Sequence, residues 1–439
     1  MNPESARAIE VSAPNAYGVL DRALRTRLLT QMSNLRDSQL RIVDALGETL
    51  LGTQAANPAD TLHATVRVYD AAFYRQVAGN GSVGAGESYM DGMWQCDDLV
   101  ALMRMLVRNR GLLDALESGL ARLGGIAMKA WHALKRNTRT GSRRNIAAHY
   151  DLGNDFFHLF LDDNMMYSSA IFADADESLE VASVRKLDRI CRKLALSPDD
   201  RVVEIGTGWG GFAIHAARNY GCHVTTTTIS REQFDLARER VHEAGLDGRV
   251  DVLLQDYRDL SGRYDKLVSI EMIEAIGHQY VHDYFGKVGS LLREDGMALI
   301  QAITIEDHRY AQALRAVDFI KRHIFPGSFI PSISVMLGAM ARSSDLKLFQ
   351  LEDIGPSYAL TLAAWRERFH RHLPEVRAQG YDDRFVRMWD FYLAYCEGGF
   401  RERSTGNVQM LLTRPGCRRA QCLDLRCPEL GAADLDKVS

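Results

Sequence analysis

Residues Arg201–Ser230, R-V-V-E-I-G-T-G-W-G-G-F-A-I-H-A-A-R-N-Y-G-C-H-V-T-T-T-T-I-S, decide the fold of this chain. The segment begins with a short apolar strand at Val202–Ile205, which closely spaced glycines and then a helix follow. Glycine tolerates positive φ and lets the backbone approach a ligand closely. A helix that opens at Gly210 directs N–H groups toward the same point. The segment therefore predicts a strand, a loop and a helix that together hold a cofactor.

The spacing of the glycines leaves the identity of this cofactor to be decided. Gly206, Gly208 and Gly211 also satisfy the G-x-G-x-x-G pattern of dinucleotide-binding loops. The second strand, Cys222–Ile229, however, ends without the acid that binds the ribose of NAD. Glu204 instead precedes the first glycine by two residues, and E-x-G-x-G is the usual first motif of S-adenosylmethionine (SAM) methyltransferases. We therefore predict SAM, with NAD and a purely structural glycine turn as the alternatives.

The composition is that of a globular protein. Lys and Arg total 53 against 57 for Asp and Glu, and 46% of the 439 residues are apolar. This near-neutral balance does not favour nucleic-acid binding and allows two or three domains. The sequence contains no apolar run that could span a bilayer and no signal-peptide pattern at its start, so we expect a cytoplasmic protein. The seven cysteines are scattered, which fits reduced thiols, and we expect no metal site.

The pattern of the chain changes near residue 135. Residues 1 to about 57 are expected to be helical, and a strand at Leu62–Asp70, a glycine-rich loop at Gly79–Gly92 and further helix follow. Residues 1–135 therefore predict a small N-terminal α+β or helical domain for lipid docking or oligomer contact. Residues 136–416 alternate strands and helices and predict an α/β fold with a Rossmann-like sheet. Within them, the amphipathic segment 308–327 is a candidate helical lid. Residues 417–439 are expected to form a disordered tail.

A basic segment precedes the α/β part. Residues 118–150 contain seven Lys or Arg and no Asp or Glu, with apolar residues interspersed. Such a segment suits the surface of an anionic membrane, where each basic residue contributes about 1 kcal/mol of attraction. A solvated linker between domains is the equal alternative.

Six further motifs carry a resemblance to a known family. They are H-Y-D-L-G-N-D-F-F from His149, M-Y-S-S from Met166, E-I-G-T-G-W-G-G-F-A, T-I-S-R-E-Q, Q-D-Y-R-D-L and I-F-P-G. With these motifs in order, residues 60–415 resemble the cyclopropane-fatty-acyl-phospholipid synthase family of SAM-dependent enzymes, which includes the mycolic acid cyclopropane synthases. The resemblance implies that the SAM methyl carbon is added across a cis double bond of a phospholipid acyl chain, forming a cyclopropane ring.

The resemblance also implies the catalytic residues. The proton acceptor would be a bicarbonate ion, held by Ser169, Glu274, Gln301, Ile303 and Tyr358. Ser169 stands where the family often has cysteine, and Gln301 where it often has histidine. Because glutamine cannot carry positive charge or relay a proton, a methyl-branched or methylene product without ring closure stays open.

An alkene is a poor nucleophile and its methylation leaves a carbocation, so the reaction also requires aromatic faces and the exclusion of water. The candidates are Tyr150, Phe172, Tyr358 and Trp365, each of which would serve equally well in an ordinary core.

The implied SAM contacts fall into three groups. The first group, on one side of SAM, comprises Tyr167 and Ser168. The second would surround the methionine end and comprises Val202, Val203, Glu204, Ile205, Gly206, Thr207, Gly208, Trp209 and Gly210. The third would bind the ribose with Thr228, Ile229, Ser230, Arg231, Glu232 and Gln233 and flank the adenine with Tyr257 and Arg258.

The implied partner is an unsaturated phospholipid, reached by peripheral association with the inner face of the membrane. A homodimer is left open, and a lipid-binding protein without catalysis is the alternative of another class.

Overall fold

The computed structural model describes residues 17–112 and 152–420, which divide into two compact units. The whole basic segment 118–150, including Tyr150, and tail residues 421–439 lie outside the described residues. In chain order the helices are α1 (Val19–Met32), α2 (Ala72–Met90), α3 (Leu99–Arg108), α4 (Asn154–His158), α5 (Leu179–Leu194), α6 (Gly211–Tyr220), α7 (Arg231–Glu243), α8 (Val281–Leu291), α9 (Tyr310–Arg315), α10 (Ile333–Ser343), α11 (Gly355–Arg371), α12 (Leu373–Ala378) and α13 (Asp383–Arg401).

The strands form two sheets, one in each unit. In chain order they are β1 (Ser38–Asp44), β2 (Gly47–Leu51), β3 (Leu62–Val68), β4 (Trp94–Cys96), β5 (Arg201–Ile205), β6 (His223–Thr228), β7 (Val250–Leu254), β8 (Tyr264–Ile270), β9 (Leu292–Ile305), β10 (Lys347–Asp353) and β11 (Thr405–Thr413).

The first unit comprises described residues 17–112, 315–324 and 373–404. Its sheet has the order β2-β1-β3-β4, in which β1 and β2 form a hairpin and β3 runs parallel to β1. Side chains along β3 alternate between buried and more exposed, as expected for a strand with one face on a core.

Two expectations for the local structure of this unit are wrong. Residues before 57 were expected to be helical, but β1 and β2 follow α1. The predicted loop at Gly79–Gly92 lies almost entirely in α2, where Gly81, with φ 56°, is the only non-helical residue. The described residues 315–324 and 373–404, which the sequence analysis placed within 136–416, cluster with the N-terminal residues, and the functional division into domains stays a prediction.

Helix α13 shows why the chain returns to the first unit. The Tyr89 hydroxyl of α2 donates to the Asp390 carboxylate of α13 at 2.8 Å, and Arg104 of α3 pairs with Glu402 at 2.6 Å. These long-range contacts involve residues some 300 positions apart, which local sequence patterns do not reveal.

The second unit contains the predicted Rossmann-like α/β sheet, and the fold class is confirmed. The strand order is β10-β11-β9-β8-β5-β6-β7. Strand β11 runs antiparallel to β10 and β9, and the strands from β9 to β7 are parallel to one another. Apolar side chains on the two faces belong to two separate core clusters. Because the inner strands are parallel, the loops after β5, β6, β7, β8 and β9 meet at one edge, where open α/β sheets bind ligands.

The segment predicted as a lid, residues 308–327, contains α9 and a π-helical turn at Ile320–Ile324. Its closing movement stays a prediction. Among the described residues, none of the helices combines the length and the apolar character needed to cross a bilayer.

Replacing Gly398 by alanine tests the packing of α13 in the first unit. A Cβ there would lie 2.6 Å from the Met103 Cβ of α3, so we expect a loss of about 1–3 kcal/mol in the free energy of unfolding. Gly79→Ala in α2 is the control, because its Cβ would meet no atom within 4 Å and alanine favours helix by about 0.5–1 kcal/mol. Urea unfolding of both variants measures the difference, and equal stability of the two would contradict the packing.

Candidate active site

The glycine loop after β5 has the backbone that the sequence predicts. Gly206, Gly208 and Gly210 have φ of 99°, 52° and 86°, and Gly210 caps α6 in the left-handed conformation. A Cβ added to Gly208 would meet no atom within 4 Å, so the crest of the loop is open. An open backbone crest at the start of a helix fits the methionine end of SAM.

Neighbouring residues hold this loop in place. The Arg240 guanidinium donates to the Trp209 carbonyl at 2.8 Å and to the Asn164 carbonyl at 3.2 Å. The Trp209 ring N–H donates to the Asn154 side chain at 2.7 Å. A Cβ on Gly211 would lie 2.4 Å from the Asn164 carbonyl oxygen, so glycine is required for this approach. Asn154, in the described part of the H-Y-D-L-G-N-D-F-F motif, and Asn164 are thereby held against the loop.

The strand part of the predicted cofactor site is structural. Val203 and Ile205 pack into one core cluster and Val202 into the other. The Glu204 carboxyl group is buried and accepts the Thr226 hydroxyl at 2.6 Å, and burial raises its pKa to about 8. Since the Thr226 hydroxyl also lies 2.8 Å from that of Thr207, Glu204 acts on the loop through Thr226.

The residues predicted at the ribose separate into two sets. Thr228, Ser230 and Gln233 are buried together, with the Thr228 hydroxyl donating to Gln233 at 2.8 Å and Ser230 capping α7. Ile229 is half-buried, whereas Arg231 and Glu232 are exposed, and their contact with the ribose stays a prediction.

The pair predicted at the adenine is held by a residue that was not predicted for the site. Asp256, at the start of this turn, accepts two hydrogen bonds from Arg258, at 2.8 and 2.6 Å. The guanidinium lies 5.8 Å from the Tyr257 ring centre and 5.7 Å from that of Tyr280. Tyr257 itself is buried in the core cluster, and burial raises the pKa of its hydroxyl.

The predicted catalytic residues converge on Glu271, which the sequence did not single out. Its Oε1 accepts the Ser169 backbone N–H at 3.0 Å, Gln301 Nε2 at 2.8 Å and Asn407 Nδ2 at 2.5 Å. Its Oε2 accepts the Tyr358 hydroxyl at 2.8 Å. Glu271 also has φ of 48°, a strained conformation for a residue other than glycine, which is often found at functional sites.

Glu274 lies close by in a different environment. Its Oε1 accepts the Ile303 N–H at 2.6 Å, and its Oε2 is buried without a hydrogen-bond partner among the described residues. Burial, and then the charge of Glu271, raise the pKa of Glu274 to about 8. At neutral pH Glu274 is therefore largely the neutral member of this acidic pair.

A chain of side chains fixes which way Gln301 points. Lys193 Nζ donates to Gln409 Oε1 at 2.7 Å, and Gln409 Nε2 donates to Gln301 Oε1 at 3.0 Å. Lysine has only donors, so each amide must present its oxygen toward Lys193 and its NH2 group toward Glu271. The orientation of Gln301 is thus set at both ends.

An aromatic cluster adjoins this carboxylate. The Tyr167 ring lies 5.3 Å from those of Phe157 and Trp365, and Trp365 lies 6.1 Å from Tyr358, edge to face. Trp365 is fully buried and Tyr358 is 7% exposed. Of the other aromatic candidates, Phe172 is half-buried and Tyr150 lies outside the described residues.

Sequence reasoning also missed a buried lysine. Lys186 of α5 is fully buried and donates to the Ser168 hydroxyl at 2.9 Å, and burial lowers its pKa to about 8. Asp162 lies near this amine and contributes a favourable charge. Lys186 lies in an ordinary helical pattern, which gives no sequence signal of its burial. For Glu271 a signal was available, because it directly follows the apolar strand D-K-L-V-S-I.

Glu274→Gln tests the ionisation of this buried carboxyl group. Since folding raises its pKa from 4.5 to about 8, the free energy of unfolding should fall as the pH rises between these values and level off above them. Glutamine cannot ionise, so the variant should lose part of this fall, while Glu204 retains its own contribution. Thermal midpoints between about pH 5 and about pH 8 measure it. Glu239→Gln, at an exposed position of α7, should keep the wild-type slope, and an unchanged slope in Glu274→Gln would contradict the assignment.

Comparison with known proteins gives the family. The family model described as mycolic acid cyclopropane synthetase matches residues 137–410. The tuberculostearic acid methyltransferase UfaA1 of Mycobacterium tuberculosis is 39% identical over 353 residues, 79% of this chain and 82% of the relative. The cyclopropane-fatty-acyl-phospholipid synthase of Escherichia coli is 38% identical over 385 residues, 86% of this chain and 94% of the relative.

Solved structures agree with this result. The cyclopropane synthase MmaA2 from Mycobacterium tuberculosis is 30% identical, with a TM-score of 0.58 over 62% of this chain and 98% of its own. The mycolic acid cyclopropane synthase CmaA1, complexed with SAH and CTAB, is 29% identical with the same TM-score and coverage. The NAD and non-catalytic alternatives are therefore set aside. With its open glycine loop and the matched residues 137–410, the chain is a SAM-dependent methyltransferase of the mycolic acid cyclopropane synthetase family.

Proposed function

We propose that this enzyme transfers the SAM methyl carbon to a cis double bond in an acyl chain of an unsaturated phospholipid. The observation that carries the proposal is the meeting of two clusters at Tyr358. Its ring packs edge to face on the buried Trp365, and its hydroxyl donates to the Glu271 carboxylate. A hydrocarbon substrate and a cationic intermediate would need both kinds of surface.

Each cluster meets one demand of the reaction. Bound SAM would supply an electrophilic methyl carbon. The aromatic faces of Tyr167, Trp365 and Tyr358 would stabilise the cation that an alkene becomes on methylation, by up to about 2 kcal/mol each when water is absent. The Glu271 carboxylate would provide an acceptor for the proton that must leave.

Relatives with lipid names support the substrate class. One is named as a cyclopropane-fatty-acyl-phospholipid synthase and another as a tuberculostearic acid methyltransferase. We propose ring closure as the first outcome and a methylene product as the second. The second is favoured by Gln301, which hydrogen-bonds Glu271 where the family often has a histidine able to relay a proton.

The lipid partner also implies access to a membrane surface. We propose peripheral docking of the cytoplasmic enzyme on an anionic leaflet, for which the basic residues between 118 and 150 are the candidates. Whether the chain forms a homodimer stays a prediction.

Incubation with SAM and vesicles of a cis-unsaturated phospholipid tests this function. We expect SAH to form with unsaturated but not with saturated acyl chains, because only a double bond offers π electrons to the methyl carbon. Proton NMR of the lipid then separates cyclopropane from methylene signals. The control is the same vesicle with trans double bonds, which should react more slowly if the site fits the bent chain. SAH formation that ignores unsaturation would overturn the proposal.

A further inference from the structure

The donors that were expected to hold bicarbonate are occupied by the protein itself. The Ser169 N–H, the Gln301 amide and the Tyr358 hydroxyl all donate to Glu271, and the Ile303 N–H donates to Glu274. A carboxylate has the same planar pair of oxygens as bicarbonate, so it satisfies the same donors. Free bicarbonate therefore does not fit this arrangement.

We propose that Glu271 replaces bicarbonate as the resident anion and proton acceptor of the active site, so that the enzyme works without added bicarbonate. This inference rests on the proposed alkene methylation. It assigns a catalytic role to a residue for which neither the sequence motifs nor the relatives' names provide one.

The two carboxylate oxygens have different roles. Oε1 accepts three hydrogen bonds, from Ser169, Gln301 and Asn407, and these fix the side chain. Among the described residues, Oε2 accepts only the Tyr358 hydroxyl. Oε2 is therefore the less saturated of the two oxygens and the one that would take the proton.

The electron balance requires no further reagent. The π electrons of the double bond form the new carbon–carbon bond as the carbon–sulfur bond breaks, and the sulfur keeps that pair. A C–H bond of the added carbon then breaks, and its proton goes to Glu271 Oε2. The electrons of that bond close the ring or, after a hydride shift along the chain, form a methylene double bond.

The backbone at this position indicates which variant would reopen the site. With φ of 48°, Glu271 has a conformation that glycine adopts without strain. Glu271→Gly should therefore keep the turn, remove the carboxylate and free its four donors for a small anion. Glu271→Gln should fill the same space and exclude the anion, but its NH2 group cannot accept a proton.

Bicarbonate dependence of product formation tests the proposal. In buffer freed of carbon dioxide, the wild type should keep its rate, whereas both variants should lose about 100-fold or more, the contribution of a positioned base. Millimolar bicarbonate should restore Glu271→Gly but not Glu271→Gln. The exposed Glu239→Gln should behave as the wild type. A wild type that stops without bicarbonate would overturn the proposal.

A binding measurement separates this inference from the proposed function. Titration with ¹³C-labelled bicarbonate, without SAM or lipid, should show binding to Glu271→Gly and none to the wild type. Binding to the wild type, or to neither protein, would overturn the inference whatever the lipid product is. Failure of the wild type to methylate any unsaturated phospholipid would instead overturn the proposed function. Calorimetry of SAM binding confirms that each variant is folded, and if the glycine variant is not, the wild type and Glu271→Gln decide.

Discussion

The half-buried carboxylate of Glu271 accepts hydrogen bonds from four side-chain or backbone donors, and the second unit brings these donors together around it. Its four partners come from separate parts of the chain: the segment before α5, strand β9, helix α11 and strand β11. Because all four donors bind the same carboxylate, the four elements are constrained together. The antiparallel strand β11 contributes to this arrangement because it places Asn407 and Gln409 alongside β9.

The same constraint extends beyond the first contacts. Lys193 is 6% exposed and pairs with Glu352 while it donates to Gln409. The donor-only amine at one end and the acceptor-only carboxylate at the other polarise both intervening amides in one direction. Such chains of hydrogen bonds strengthen one another in a medium of low dielectric. Lys193 of helix α5 thus orients Gln301, and through it Glu271, without contacting Glu271 directly.

Local patterns predicted the sheet and the glycine loop because both depend on neighbouring residues. The run R-V-V-E-I-G-T-G-W-G changes from a buried strand to a turn within ten positions, and the structure has both the strand and the turn there. The return of α13 to the first unit depends on contacts across some 300 residues, and no local signal carries them. Likewise Ser169, Gln301 and Tyr358 were identified by resemblance, whereas Glu271 was overlooked, because its importance arises only where distant donors meet. The assignment of Arg231 and Glu232 to the ribose stays a prediction, and both side chains are exposed.

The positive φ of Glu271 has a consequence for how this active site could change over time. Glycine and glutamate codons differ by a single base in the second position, and the turn after β8 already has the shape that glycine prefers. A point mutation in either direction would leave the main chain undisturbed. In the mechanism that we propose, dependence on a dissolved ion and possession of a tethered acid lie one nucleotide apart in this scaffold.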